Sequence, residues 1–339
     1  MRTDHMFRLY SQTKPITSTA LLMLYEQGKF QLTDPLEKYI PAFKDVKVYA
    51  GLDEKGAMKL EEPRRKITIQ DIFRHTAGFC EPVGENPRNP VEKAYFEAGL
   101  KEEVDSILSP KDLMNKLARM PLLYHPGEQW VYSFAHDVQA YLVEHFSGMP
   151  FDEFLYKNLT RPLGMKDTVF GIPKEYVSRF PIVYGPAKEG EGLQVVHKPK
   201  DDFYSIFTGK SAGGAGLSCT AMDYFLFSQM LLNNGKLGNV RILGRKTVEL
   251  MTSNHLPSNI PYILDIRGEG YGLGIGVTLD PAQSGELGSK GVFGWGGAAM
   301  TSAHIDPTEE LVWGFYAQQL PPDELGHQLP ILVYQAIID

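Results

Sequence analysis

A serine and a lysine stand three residues apart in Phe7-Arg8-Leu9-Tyr10-Ser11-Gln12-Thr13-Lys14-Pro15, just ahead of apolar residues at helical spacing: Ile16, Ala20, Leu21, Met23 and Leu24. On a helix, a spacing of three sets two side chains on one face about one turn apart. An amine then lies within proton-transfer reach of a hydroxyl. Serine is a weak nucleophile at its free pKa and needs a base, and a desolvated lysine with a lowered pKa can serve. The start of the helix also offers unpaired N–H groups and a positive dipole end where an oxyanion can develop. Such a pair recurs by chance on many surface helices, so its meaning depends on what else the chain supplies.

Three further segments supply candidate chemistry. In His125-Pro126-Gly127-Glu128-Gln129-Trp130-Val131-Tyr132-Ser133-Phe134, a tyrosine after a Pro-Gly turn can shuttle a proton if a nearby ammonium stabilises its phenolate. The plain alternative is an ordinary half-buried tyrosine. Gly213-Gly214-Ala215-Gly216-Leu217 reads either as a turn or as part of a site. In Phe293-Gly294-Trp295-Gly296-Gly297-Ala298-Ala299, glycines beside a strand permit close approach of a ligand to the backbone; a β-bulge is the alternative. A rival nucleophile, Ser211, lies in Gly209-Lys210-Ser211-Ala212-Gly213, a Gly-x-Ser-x-Gly match. A nucleophile elbow needs a strand before the serine and a helix after it, and neither is readable here. His75, His125 and His136 lack metal-ligand spacing, so no metal or cofactor is expected.

These groups must be held by a soluble, globular frame. The 339 residues are 43% hydrophobic and 22% charged, enough for a sizeable core. A formal charge of −7 without basic runs argues against a nucleic-acid partner, and no apolar run is long enough to span a bilayer. Two cysteines, Cys80 and Cys219, make no disulfide framework, and no signal peptide is visible, so the expected location is cytoplasmic. The pattern predicts helices over 11–27, 110–120, 138–146, 151–159, 220–234 and 329–338. Strands are predicted near 271–277, 291–295, 300–305 and 310–317, and 43–66 and 171–210 read as loops. Helices first and strands last imply an α+β fold with antiparallel pairing.

In order and spacing, the motifs from Phe7 to the C-terminus resemble the serine β-lactamase-like superfamily (the penicillin-binding-protein fold), most closely the family VIII carboxylesterases. They are Ser11-Gln12-Thr13-Lys14, Arg74-His75-Thr76-Ala77-Gly78, Tyr132-Ser133, the glycine loop with Leu217-Ser218 and Asp223-Tyr224, Tyr271-Gly272-Leu273-Gly274, and Trp295-Gly296-Gly297. The resemblance implies a β-lactamase/transpeptidase-like fold: an antiparallel sheet flanked by helices (1–30 with 236–339) and a mainly helical part bordering the site (31–235). It implies Ser11 as the acylated nucleophile, Lys14 and Tyr132 as a coupled base, and the backbone N–H groups of Ser11 and Ala298 as the oxyanion hole. Phe134, Trp295, Gly296 and Gly297 would contact substrate. Phe134 stands where β-lactamases usually carry Asn, and Trp295 where they carry Lys or His; both changes favour a neutral ester of short to medium acyl chain over a penicillin. A β-lactamase, a D-amino-acid peptidase, an acyltransferase and a silent scaffold are the alternatives. The resemblance also implies a helix and two strands ahead of the serine helix, which need roughly 40–60 residues. Ten residues precede Ser11. The expectation is therefore a sheet without its N-terminal helix and first strands, closed by a second copy or another partner chain.

Overall fold

A computed structural model of the chain describes residues 1–82, 86–100, 109–187, 192–208, 210, 212–322 and 325–338. The segment expected to be one helix over 11–27 divides into a tight 3-10 turn, Tyr10–Thr13, and an α-helix, Lys14–Glu26. Pro15 sits in the first helical turn, where its missing N–H costs nothing, and Gly28 ends the helix at φ +71°. Ile16, Ala20 and Leu21 are fully buried and Leu24 nearly so. Each such aliphatic side chain contributes about 1.5–3 kcal/mol. The helix packs along Ala135–Ser147, which ends at Gly148 in the left-handed region.

The main sheet has five antiparallel strands in sequence order: Glu269–Tyr271, Gly276–Thr278, Phe293–Gly297, Thr301–Asp306 and Leu311–Tyr316. Its five strands all come from residues 269–316, because 271–277, read as one strand, turns at Leu273-Gly274 and becomes a hairpin. Among the described residues, Leu311–Tyr316 has a hydrogen-bonded neighbour on one side only. The helix Ala221–Leu232 starts where Thr220 Oγ1 accepts the Asp223 N–H (3.1 Å), and it packs over the last two strands. Sequence reasoning had grouped this helix with the helical part. One hydrophobic core instead runs through both parts, including Leu21, Leu142, Phe227, Val277 and Ile305.

A second sheet positions the turn that carries Ser11. Met6–Arg8 pairs antiparallel with Leu217–Thr220, which also pairs with Val169–Phe170. This register carries the glycine run that precedes Leu217 to the start of the serine helix. Two hairpins, Val48–Leu52 with Met58–Glu61 and Val183–Pro186 with Leu193–His197, lie in segments read as loops. Their strands are largely exposed and make no long apolar alternation, so no period announced them. Among the described residues, no helix is long and apolar enough to cross a membrane.

Candidate active site

Ser11 lies on a turn that the surrounding residues hold in an unusual conformation. Tyr10, immediately before it, has φ +46°, a region costly for a side chain with a Cβ. Its N–H donates to the Tyr204 hydroxyl (3.0 Å). That hydroxyl also accepts from Gly216 N (3.0 Å) and donates to the Leu217 carbonyl (2.9 Å). Tyr204 is fully buried, and burial pushes its phenol up, so it stays protonated and able to donate. Asp202 accepts the Tyr204 N–H (2.9 Å) and forms a fully buried ion pair with Arg8 (2.5 Å). None of the Arg8–Asp202–Tyr204 group was picked out from the sequence. Arg8 is far along the chain from Asp202 and Tyr204, and no local pattern joins them.

The three expected catalytic side chains converge. Lys14 Nζ donates to Ser11 Oγ (3.1 Å) and to the Gly214 carbonyl (2.7 Å), and the Tyr132 and Ser11 hydroxyls are hydrogen-bonded at 2.5 Å. The Lys14 ammonium also lies 4.5 Å from the centre of the Tyr132 ring. Lys14 is almost wholly buried. Burial by itself pushes its amine down, but the opposing effects of Tyr132, Glu81 and Asp137 win and hold it above its ordinary value. The expectation of a lysine kept neutral by desolvation is therefore reversed: Lys14 is an ammonium at neutral pH. Ser11 Oγ thus faces both the Lys14 amine and the Tyr132 hydroxyl, two groups close enough to share a proton as a pair.

Tyr132 is fixed by its neighbours. His75 stacks on its ring (centroids 4.9 Å, 24°), and Trp295 covers it in near-parallel orientation (6.3 Å, 12°). His75 Nδ1 is 3.1 Å from Ser133 Oγ, and the His75 carbonyl accepts the Val131 N–H (2.9 Å). His75 and His136 are fully buried, and burial followed by the Lys14 charge (for His136, also His75) pushes both imidazoles well below their usual value. They are neutral groups packed around the Tyr132 ring and one another. The loop bearing His75 is braced from Asp71, which accepts from Arg65, Arg74, Thr68 and Thr76.

The glycine run is more than a turn. The Gly213 carbonyl accepts from Thr17 Oγ1 (2.7 Å), the Gly214 carbonyl faces Lys14, and Gly214 N donates to Asp137 Oδ1 (2.8 Å). A Cβ on Gly213 would lie 2.1 Å from the His136 carbonyl oxygen. The run is thus clamped between the helices Lys14–Glu26 and Ala135–Ser147. Gly297 meets a similar constraint at the other side of the site: a Cβ there would lie 2.1 Å from the Leu9 carbonyl oxygen. Ala298 follows directly, so the end of this strand is drawn to the turn carrying Ser11.

The expected substrate contacts fare unequally. Trp295 and Gly297 are half-buried and Gly296 is exposed, with Trp295 also meeting Tyr271 edge-on at 5.2 Å. Phe134, in contrast, is fully buried in the main core just before the helix Ala135–Ser147. It has no exposed surface here, unlike the Trp295 ring with which it was expected to contact substrate. The rival Ser211 lies outside the described residues. Among the described residues, no three His, Cys, Asp or Glu side chains gather as metal ligands.

A family model described as Beta-lactamase matches residues 1–336. Protein Rv1367c of Mycobacterium tuberculosis is 31% identical over 333 residues, covering 95% of this chain and 79% of that protein. The LovD6 mutant of simvastatin synthase from Aspergillus terreus superposes with a TM-score of 0.80 at 23% identity, covering 99% of this chain and 82% of its own. EstCE1, described as a hydrolase with promiscuous acyltransferase activity, superposes with a TM-score of 0.75 at 24% identity, covering 93% and 81%. At these identities the two structural likenesses show a shared fold.

Proposed function

The chain belongs to the Beta-lactamase family, and from that premise we propose that it is a serine hydrolase cleaving carboxylic esters of short to medium acyl chains through an acyl-enzyme on Ser11. One observation carries the reading: Ser11 Oγ sits 3.1 Å from Lys14 Nζ and 2.5 Å from the Tyr132 hydroxyl. Tyr132, paired with Lys14, takes the Ser11 proton while Oγ bonds to the ester carbonyl carbon. The tetrahedral oxyanion is received by the N–H groups of Ser11 and Ala298. Collapse breaks the bond to the alcohol oxygen, which leaves with the proton held by Tyr132. Water then gives a proton to Tyr132 as its oxygen bonds to the acyl carbon; the bond from that carbon to Ser11 Oγ breaks, the acid leaves, and Tyr132 returns the proton to Oγ.

An ester is favoured over a β-lactam or a peptide for a physical reason. The two positions where an amide and a cation would read an acylamino group and a carboxylate hold Phe134, which is buried, and Trp295, an aromatic wall beside Tyr132. Neither supplies a positive charge or an amide to read those groups, and a half-buried indole suits an apolar acyl chain.

A fluorophosphonate tests the reading. The intact protein should gain one adduct, and peptide mapping should place it on Ser11. Ser11→Ala should abolish both the adduct and p-nitrophenyl butyrate turnover, and Lys14→Ala and Tyr132→Phe should each lower kcat by about 10²–10⁴-fold with folding intact. An adduct mapping to Ser211 would overturn the assignment. Nitrocefin turnover exceeding that of the butyrate ester would overturn the substrate class, and ester product formed with an added alcohol would mark acyl transfer.

A further inference from the structure

Asp137 enters no step of the chemistry above, yet it stands directly behind the lysine. It lies in the first turn of the helix Ala135–Ser147, where the helix dipole favours a carboxylate, and it is 6% exposed. Its Oδ1 accepts the Gly214 N–H (2.8 Å), and the carbonyl of that same residue accepts from Lys14 Nζ (2.7 Å). Gly214 thus links a buried carboxylate to a buried ammonium. The link cannot swing aside, because Thr17 holds the Gly213 carbonyl, and a Cβ on Gly214 would come 2.8 Å from Asp137 Oδ2.

We infer that Asp137 is a positioning residue for the acyl-transfer centre: it fixes the Gly214 carbonyl against Lys14 and, through its charge, keeps that lysine protonated beside Tyr132. This rests on the reading of Ser11, Lys14 and Tyr132 as that centre. The charged and titratable groups facing Lys14 are Tyr132 from the loop before the helix, Glu81 from the loop after the His75 turn, Asp137 itself, and the neutral imidazoles of His75 and His136. Asp137 is the member of this set bonded to the peptide that holds Nζ. Removing its charge lowers the lysine's proton affinity, so the form with an ammonium beside Tyr132 is lost at lower pH than in the wild type.

The test is the rate of fluorophosphonate labelling at Ser11 against pH in three proteins. Asp137→Asn keeps an oxygen to accept the Gly214 N–H but removes the charge. Its rate relative to wild type should fall as pH rises, by about ten-fold once the wild-type rate is itself falling, as expected for a lysine pKa lowered by about one unit. Asp137→Glu keeps the charge on a longer arm that displaces Gly214. Its rate should drop by about ten-fold or more, with a ratio to wild type that stays flat with pH. A flat ratio for Asp137→Asn overturns the inference. If that variant does not fold, a ratio for Asp137→Glu that falls with pH, or a rate equal to wild type, does the same. Failure of the wild type to label at Ser11 is a separate outcome that overturns the acyl-enzyme reading instead.

Discussion

Removing one oxygen atom, in Tyr204→Phe, tests whether the turn before Ser11 is held by the tyrosine behind it. The hydroxyl serves three backbone groups: Tyr10 N, Gly216 N and the Leu217 carbonyl. Leu217 keeps a second donor, Leu9 N at 2.9 Å, so its loss is small. The two N–H groups are buried with the fully enclosed ring, and each left unpaired costs about 1–3 kcal/mol, or about 2–6 kcal/mol together. At an unfolding entropy of about 2.1 cal/mol/K per residue, this chain should then melt about 3–8 °C lower. The catalytic effect follows from Tyr10 at φ +46°: strain of about 1–3 kcal/mol is released when its N–H loses its anchor. The turn relaxes and carries Ser11 with it, and a displacement of about 1 Å costs about 10²-fold in rate. Differential scanning fluorimetry and burst-phase ester kinetics read the two effects separately. A variant that melts and acylates like the wild type would refute the argument that Tyr204 holds the nucleophile turn.

Other consequences are open to simpler measurements. Gly213→Ala should cost about 1–3 kcal/mol or abolish soluble expression, because its Cβ would be forced to 2.1 Å from the His136 carbonyl oxygen; an unchanged melting temperature would show that the clamp yields. The edge strand Leu311–Tyr316 leaves backbone groups free on one side among the described residues, so concentration-dependent association is expected; Val312→Lys should reduce it in sedimentation velocity. Asp71 should govern acid stability. Burial pushes its carboxyl up, but Arg65 and Thr68 outweigh burial and bring it to about 2, below an unfolded value of about 3.9. Its contribution, about 2 kcal/mol, is present above pH ~4 and lost as pH falls toward 2. Asp71→Asn should therefore flatten the stability profile between those values, and urea midpoints measured across the range check it.

The parts of the site legible in the sequence were those whose chemistry is confined to a few adjacent residues. Ser11 and Lys14 share a turn, so their spacing alone predicted a contact, and the Ser11–Lys14 hydrogen bond at 3.1 Å fits it. Tyr132 lies 121 residues away and was reachable only through a motif pattern, not through any local period. Phe134 shows the limit of such transfer. A position two residues past the tyrosine was read as facing substrate, yet a phenylalanine there gains more by entering the core, where it is fully buried. The strands of the main sheet were readable because they alternate around glycine turns, whereas Met6–Arg8 was missed: three residues buried throughout carry no alternation, and only the pairing with Leu217–Thr220 makes them a strand.

The lysine's protonation state was the least legible feature, and the reason is general to buried sites. Sequence reasoning weighs burial, which favours the neutral amine, but cannot see which charges burial brings along. Here the same fold that removes Lys14 from water surrounds it with Tyr132, Glu81 and Asp137 and seats its Nζ on a peptide carbonyl. Those additions outweigh the burial they accompany. The Lys14 Nζ also lies 4.5 Å from the centre of the Tyr132 ring. On the proposed reading the base is therefore a property of the Lys14–Tyr132 pair, held by the glycine run and the helix behind it, and not of the lysine whose spacing first drew attention to the site.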